Sequence, residues 1–241
     1  MPFTDWPGPA LAICALLSVL FLADAIRRAD WQAPLRDHLV WASATALLWA
    51  ARQMTVSLPG DLSLQYLGAA WLTVMLGYPR AIVTLSIVFA AEALAPSGVA
   101  QTMSQASGLA QSPDARQTLT LLLGQAPRLL LLGILPAWLI WQLARLCREK
   151  LPPNLFVFLL GVGFIGLFWS YALSLLLAAG LNWLLGGPAA SAYVQTVLPY
   201  ALLLSTGEAW LEGMMTTLLV VFAPGAVRLF DERHYLAPPK A

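Results

Sequence analysis

Charge is scarce in this sequence. Lys, Arg, Asp and Glu together make up 10% of the 241 residues, where a soluble domain carries about 25%. That excludes a soluble core of this length. Excess charge of one sign is also missing. The formal net charge is +1, and no basic patch is large enough to neutralise a run of phosphates, so no nucleic-acid partner is expected. Cysteine is limited to Cys14, inside an apolar run, and Cys147, in a basic segment. Without a CxxC or Cys/His cluster there is no soft-metal signature, and both are expected to be free thiols. The only histidines, His38 and His234, lie outside the apolar runs. Neither GxSxG nor HExxH occurs, which argues against an intramembrane hydrolase. GxxxxGK[ST] is absent too, so no ATPase is encoded here and no enzyme is expected. The N-terminal MPFTDWPGP has no basic residue ahead of the first apolar run. That run is therefore expected to be a retained span and not a cleaved signal.

Hydrophobic residues, at 59%, are what fill the chain. A spanning helix needs about 20 mostly apolar residues. Seven segments qualify: Pro9–Ile26, Leu39–Met54, Leu62–Tyr78, Pro79–Ala95, a stretch within Leu119–Leu146, Asn154–Leu185 and Val197–Phe222. The third and fourth are short and nearly continuous. The fold class expected is therefore an all-α bundle, a single transmembrane domain over residues 1–241. Basic residues collect on the cytoplasmic side of spans. With the N-terminus outside, ten lie in cytoplasmic segments (Arg27, Arg28, Arg36, Arg80, Arg145, Arg148, Lys150, Arg228, Arg233, Lys240). Three, Arg52, Arg116 and Arg128, fall outside. An outer N-terminus and a cytoplasmic tail over 223–241 follow. Pro96–Arg116, rich in Ser, Gln, Gly and Ala, reads as an outer loop, either a plain connection or a lid. No internal repeat of the inverted-transporter kind is visible.

Two stripes of small residues recur at every fourth position and so share one helix face. They are Ala42, Ala46 and Ala50 in the second span and Gly166, Ser170, Ser174 and Ala178 in the sixth. Small residues let helices approach closely in lipid. Internal bundle packing is the main expectation, and docking of a membrane partner is the alternative.

Glu208 and Glu212 lie near the middle of the seventh span, in STGEAWLEGMMTT. Four residues apart, they share a face. Each charged acid at mid-bilayer costs about 2.5–3.5 kcal/mol on insertion scales, so the pair is expected to face the bundle or water. Three uses are open: binding a cation or polar solute, relaying protons, or hydrogen-bonding neighbouring helices with Ser205, Thr206, Thr216 and Thr217 as local partners. Glu92, at the outer end of the fourth span, is a further candidate for lining a site. Asp24, at the inner end of the first, is closer to water.

The stretches LQYLGAAWLTVMLGYPRAIV (Leu64–Val83), LPPNLFVF (Leu151–Phe158) and GEAWLEGMMTTLLVVFAPGAVRLFDERHYL (Gly207–Leu236) carry a family likeness. About half the chain resembles CbiM/NikM proteins, the cobalt- and nickel-specific membrane components of energy-coupling factor (ECF) ABC transporters. That resemblance implies a seven-span substrate-binding component in a bacterial inner membrane. It implies a partner coupling subunit and cytoplasmic ATPases, no covalently bound cofactor, and a transition-metal cation as substrate. It also implies an outer N-terminus that folds back into the bundle to ligate the metal, with His at the second position and at the outer end of the third span. Here those positions are Pro2 and Gln65. Proline has no N–H to deprotonate, and Gln is a weak neutral ligand. The remaining candidates near the outer mouth are Met1, Asp5, Gln65, Tyr66 and Glu92. Their oxygen-rich character suits a harder cation or a different solute. A non-transporting scaffold or assembly factor that keeps the fold is the alternative.

Overall fold

A computed structural model describes residues 3, 6–53, 55–58, 62–94 and 115–236. Met1, Asp5, residues 95–114 of the expected outer loop and the last five residues of the tail lie outside the described residues. Among the described residues the regular structure is helical apart from one small hairpin. Helix α1 is Gly8–Arg28 and α2 is Leu35–Gln53; β1 (Thr55–Leu58) and β2 (Leu62–Gln65) follow. They pair antiparallel, with Thr55 opposite Gln65 and Leu58 opposite Leu62. Then come α3 (Ala69–Leu76), α4 (Tyr78–Leu94), α5 (Ala115–Arg128), α6 (Leu135–Lys150), α7 (Leu167–Leu185), α8 (Gly187–Phe222) and α9 (Glu232–Tyr235).

Three helical runs among the described residues are long and apolar enough to cross a membrane: Gly8–Arg28, Thr118–Lys150 and Val157–Leu185. The chain is thereby a membrane protein. Two of the runs contain wider, π-helical turns. Leu129–Ile134 joins α5 to α6, directly after Pro127, whose ring cannot donate to the helical ladder. Val157–Gly166 leads into α7. There α8 comes so close that a Cβ on Gly213 would lie 2.6 Å from the Gly163 carbonyl oxygen. The second small-residue stripe packs inside as expected: Gly166, Ser170, Ser174 and Ala178 are all buried. The first does not. Ala42, Ala46 and Ala50 are exposed, and α2 turns Ala44, Leu48 and Arg52 inward instead. That face carries Leu48 and Arg52, and it meets the centre of the molecule.

The expected span over Leu62–Tyr78 is corrected. Its first four residues are strand, 66–68 are non-helical, and only Ala69–Leu76 is helix. Eight residues rise about 12 Å, well short of a hydrocarbon core of about 30 Å. Every residue of α3 is buried, packed mainly on α4 and α6. Its last turn is closed by the chain's C-terminal segment. The Arg228 N–H donates to the Met75 carbonyl (3.0 Å) and the Leu229 N–H to that of Val74 (3.2 Å). Arg228 also pairs with Asp37 at 2.7 Å and Arg148 with Asp231 at 2.8 Å. Phe158, Phe230 and Tyr235 cluster beneath, with centroids 5.0–5.7 Å apart. Burial raises the Tyr235 phenol above its ordinary value, so it stays neutral in that stack. This basic end gathers Arg80, Arg148 and Arg228, all assigned to one side from charge alone.

Candidate functional site

The site is built around the non-helical segment 66–68. Non-helical backbone leaves N–H and C=O groups without ladder partners, and buried ones must be satisfied otherwise. Side chains do that here. The Arg52 guanidinium, 1% exposed, donates from Nη1 to the carbonyls of Tyr66 and Leu67, both at 3.1 Å. Its remaining edge forms a two-point pair with Glu92: Nε to Oε1 at 2.6 Å and Nη2 to Oε2 at 2.9 Å. The same guanidinium lies 4.4 Å above the Phe89 ring. From the opposite side, the Leu67 N–H donates to both carboxyl oxygens of Glu208, at 3.2 and 3.3 Å.

Glu212 is 0% exposed and Glu208 4%. Both face the bundle interior, as the cost of placing them in lipid requires. Glu212 accepts from the Tyr66 hydroxyl at 2.5 Å and from the Tyr171 hydroxyl at 2.7 and 2.9 Å. The Tyr171 oxygen in turn accepts the N–H groups of Ala70 and Trp71, at 3.2 and 3.4 Å. Those are orphan donors of the first turn of α3. The positive end of α3 thus faces the two carboxyl groups, an arrangement that favours negative charge there.

Gly68 makes this geometry accessible. Its φ is +65°, and a Cβ there would lie 2.3 Å from Leu48 Cδ1 and 2.7 Å from Tyr66 Cε1. A left-handed, crowded position of this kind admits only glycine without strain. We expect Gly68→Ala to cost about 3 kcal/mol or more, from backbone strain plus overpacking. A drop in thermal midpoint in detergent, with loss of the Tyr66–Glu212 contact, checks it. A midpoint within a degree of wild type would contradict it.

The expected site residues separate into two groups. Glu208 and Glu212 come together with Tyr66. Glu92 and Gln65 form an adjoining polar layer with Arg52 and Arg128. Gln65, a candidate metal or solute ligand, sits within that layer. Its Nε2 donates to the Arg52 carbonyl at 2.7 Å and to Glu92 at 3.2 Å, and its Oε1 accepts from Arg128. Both ends of the amide are therefore in use. Met1 and Asp5, the other metal candidates, lie outside the described residues. Among the described residues no group of three or more His, Cys, Asp and Glu could hold a metal ion. The expected local partners of the glutamates are also corrected. The Ser205 and Thr206 hydroxyls donate to the Leu202 carbonyl and that of Thr217 to Gly213, while Thr216 Oγ1 has no partner. Each hydroxyl that bonds does so within its own helix, to a carbonyl one turn back.

Arg52, Tyr171 and Arg128 were not singled out as site residues from sequence. Near the site, two described residues close to the start of the sequence pack inward against a cluster that Leu67 joins. Phe3 and Trp6 are buried, and Trp6 Nε1 donates to Asn182 Oδ1 at 2.9 Å. Comparison of the chain with protein-family models, with curated proteins and with solved structures finds no match.

Proposed function

We propose that this chain is the substrate-binding membrane component of an uptake system of the ECF ABC type, in a bacterial inner membrane. It would cross the bilayer seven times, N-terminus outside and C-terminus cytoplasmic, with the third crossing broken into an extended half (62–68) and a helical half (α3). The observation that carries the reading is the broken crossing held against Glu208 and Glu212. In transporters, interrupted helices put helix ends and free backbone groups at substrate depth, and intramembrane acids default to function. The buried Phe3 and Trp6 support an outer N-terminus folded into the bundle. The positions of Arg80, Arg148 and Arg228 support one cytoplasmic end. A coupling membrane subunit and ATPases would supply the energy, since the chain has no nucleotide motif.

The cargo that fits is a cation taken by oxygen ligands. The oxygens of Glu208, Glu212 and Tyr66 are hard donors, suited to manganese-like ions more than to the nitrogen sites of nickel and cobalt. Purified protein is expected to gain thermal stability with at least one of Ni, Co, Mn, Zn, Cu and Fe, the largest gain with Mn. Glu208→Gln is expected to abolish that gain. No gain across the whole series would sink the cation reading.

A scaffold that keeps the fold without transporting is the second reading. One observation favours it: two tyrosine hydroxyls already occupy Glu212. Co-purification of ECF-type ATPases with the chain would count against a scaffold. Altered partners in Glu208→Gln with unchanged uptake would count for it.

A further inference from the structure

A furrow runs along the outside of the molecule between α2 and α8, floored by α3. Two clefts of about 370 and 400 Å³ make it up. They share Leu47, Trp71 and Met215, so they are one continuous channel. The upper cleft ends at Glu208 and Ala51; the lower begins at Val40 and Ala226. A smaller polar cleft continues from there, lined by Asp37, Arg80 and Arg228. Arg36 adds to this end: its Nη2 would sit 3.6 Å from a Cβ on Gly225. Arg36 is exposed, and it makes no ion pair with the described residues, whereas Arg228 is held by Asp37 and Asp30.

The dimensions select the occupant. From Val40 to Ala51 along α2 is about 16 Å, which is half of a hydrocarbon core of about 30 Å. The furrow is therefore one leaflet deep, and it starts at the basic end. Both clefts are open along the surface, so an acyl chain can enter them from the surrounding lipid. The furrow's walls are almost wholly apolar, and an unpaired guanidinium stands at its mouth.

We infer that this furrow binds one anionic phospholipid of the basic-end leaflet. The headgroup phosphate would sit at Arg36, beside Arg228, and one acyl chain would lie between α2 and α8 with its end below Glu208. The inference rests on the membrane reading and on the basic end facing the cytoplasm. It is independent of which solute, if any, is carried.

Lipid extraction from purified full-length protein, followed by mass spectrometry, is the first measurement. About one anionic phospholipid per chain is expected to survive exchange into detergent. The second is thermal stability in nanodiscs of phosphatidylcholine with and without phosphatidylglycerol. Wild type is expected to be more stable with phosphatidylglycerol. Arg36→Glu is expected to weaken the anionic-lipid effect roughly tenfold or more. Ser43→Trp fills the furrow from an exposed position, so the fold is spared. It is expected to lose the retained lipid and, with it, the extra stability that phosphatidylglycerol gives wild type, while still folding. Equal stabilisation by both lipid mixtures, or full lipid retention in Ser43→Trp, would overturn the inference. So would cross-linking of a cysteine at Ser43 to a partner protein's membrane helix in place of lipid. Loss of cation binding with lipid retention intact would leave it standing and count only against the solute reading.

Discussion

Arg52→Met will destabilise the protein by about 3–5 kcal/mol, the range for removing one partner of a buried ion pair. The substitution leaves Glu92 without its two-point partner and strips the Tyr66 and Leu67 carbonyls of their donor. Each carbonyl left bare adds its own desolvation cost. Arg52→Lys is expected to recover only part of the loss. One ammonium cannot span both carboxyl oxygens and two carbonyls as a planar fork does. Arg52→Met combined with Glu92→Met removes both charges together and is expected to be milder than Arg52→Met alone. Denaturation of wild type, these three variants and Glu92→Met alone in detergent measures this. If the double variant is as unstable as the sum of the singles, the pair is not what holds the segment.

Glu212→Leu is expected to have the second large effect. Glu212 is the shared acceptor of Tyr66 and Tyr171, so an apolar replacement strands two buried hydroxyls. A hydrogen bond to a charged group contributes about 1.5–3 kcal/mol in water-soluble proteins. Measured values between membrane helices average nearer 0.6. Two bonds therefore place the loss at about 1–6 kcal/mol. Glu212→Gln keeps an acceptor oxygen and is expected to lose less than half of that. A double-mutant cycle with Tyr171→Phe isolates the contact. Coupling of at least about 0.5 kcal/mol is expected, and strict additivity would show that the hydroxyl and carboxyl groups do not meet.

The glutamates were legible because charge stands out against an apolar background. Their spacing also fixed which way they face. Glu92 and Gln65 were visible for the same reason, although not the bonds that tie them up. The break within Leu62–Tyr78 was not legible. Leu62–Tyr78 has only Ser63, Gln65 and Thr73 as polar breaks, and so short an apolar run does not by periodicity alone distinguish buried helix from extended chain. Gly68 was the local clue, a glycine at a bend that the sequence leaves unmarked by proline or polar neighbours. Arg52 entered the reading only as a charge to be counted for orientation. Tyr171 is one aromatic among many, and nothing along the chain announces that it lies opposite Glu212. The alanine stripe of α2 misled for a related reason. Spacing defines a helix face, but what lies across from that face is decided by other segments.

The shortness of α3 has a consequence for how the chain is assembled. A run of eight helical residues preceded by extended backbone cannot stand alone in a bilayer. Each N–H or C=O left facing lipid costs several kcal/mol. The groups of Tyr66 and Leu67 become tolerable only after Arg52 and Glu208 are beside them, and those side chains come from α2 and α8, 36 residues of which close the chain before its tail. The last turn of α3 waits longer still, for the N–H groups of Arg228 and Leu229. Satisfying the backbone of this segment therefore has to wait for residues made near the end of the chain. Until synthesis reaches residue 229, the middle of the molecule has no finished place to go.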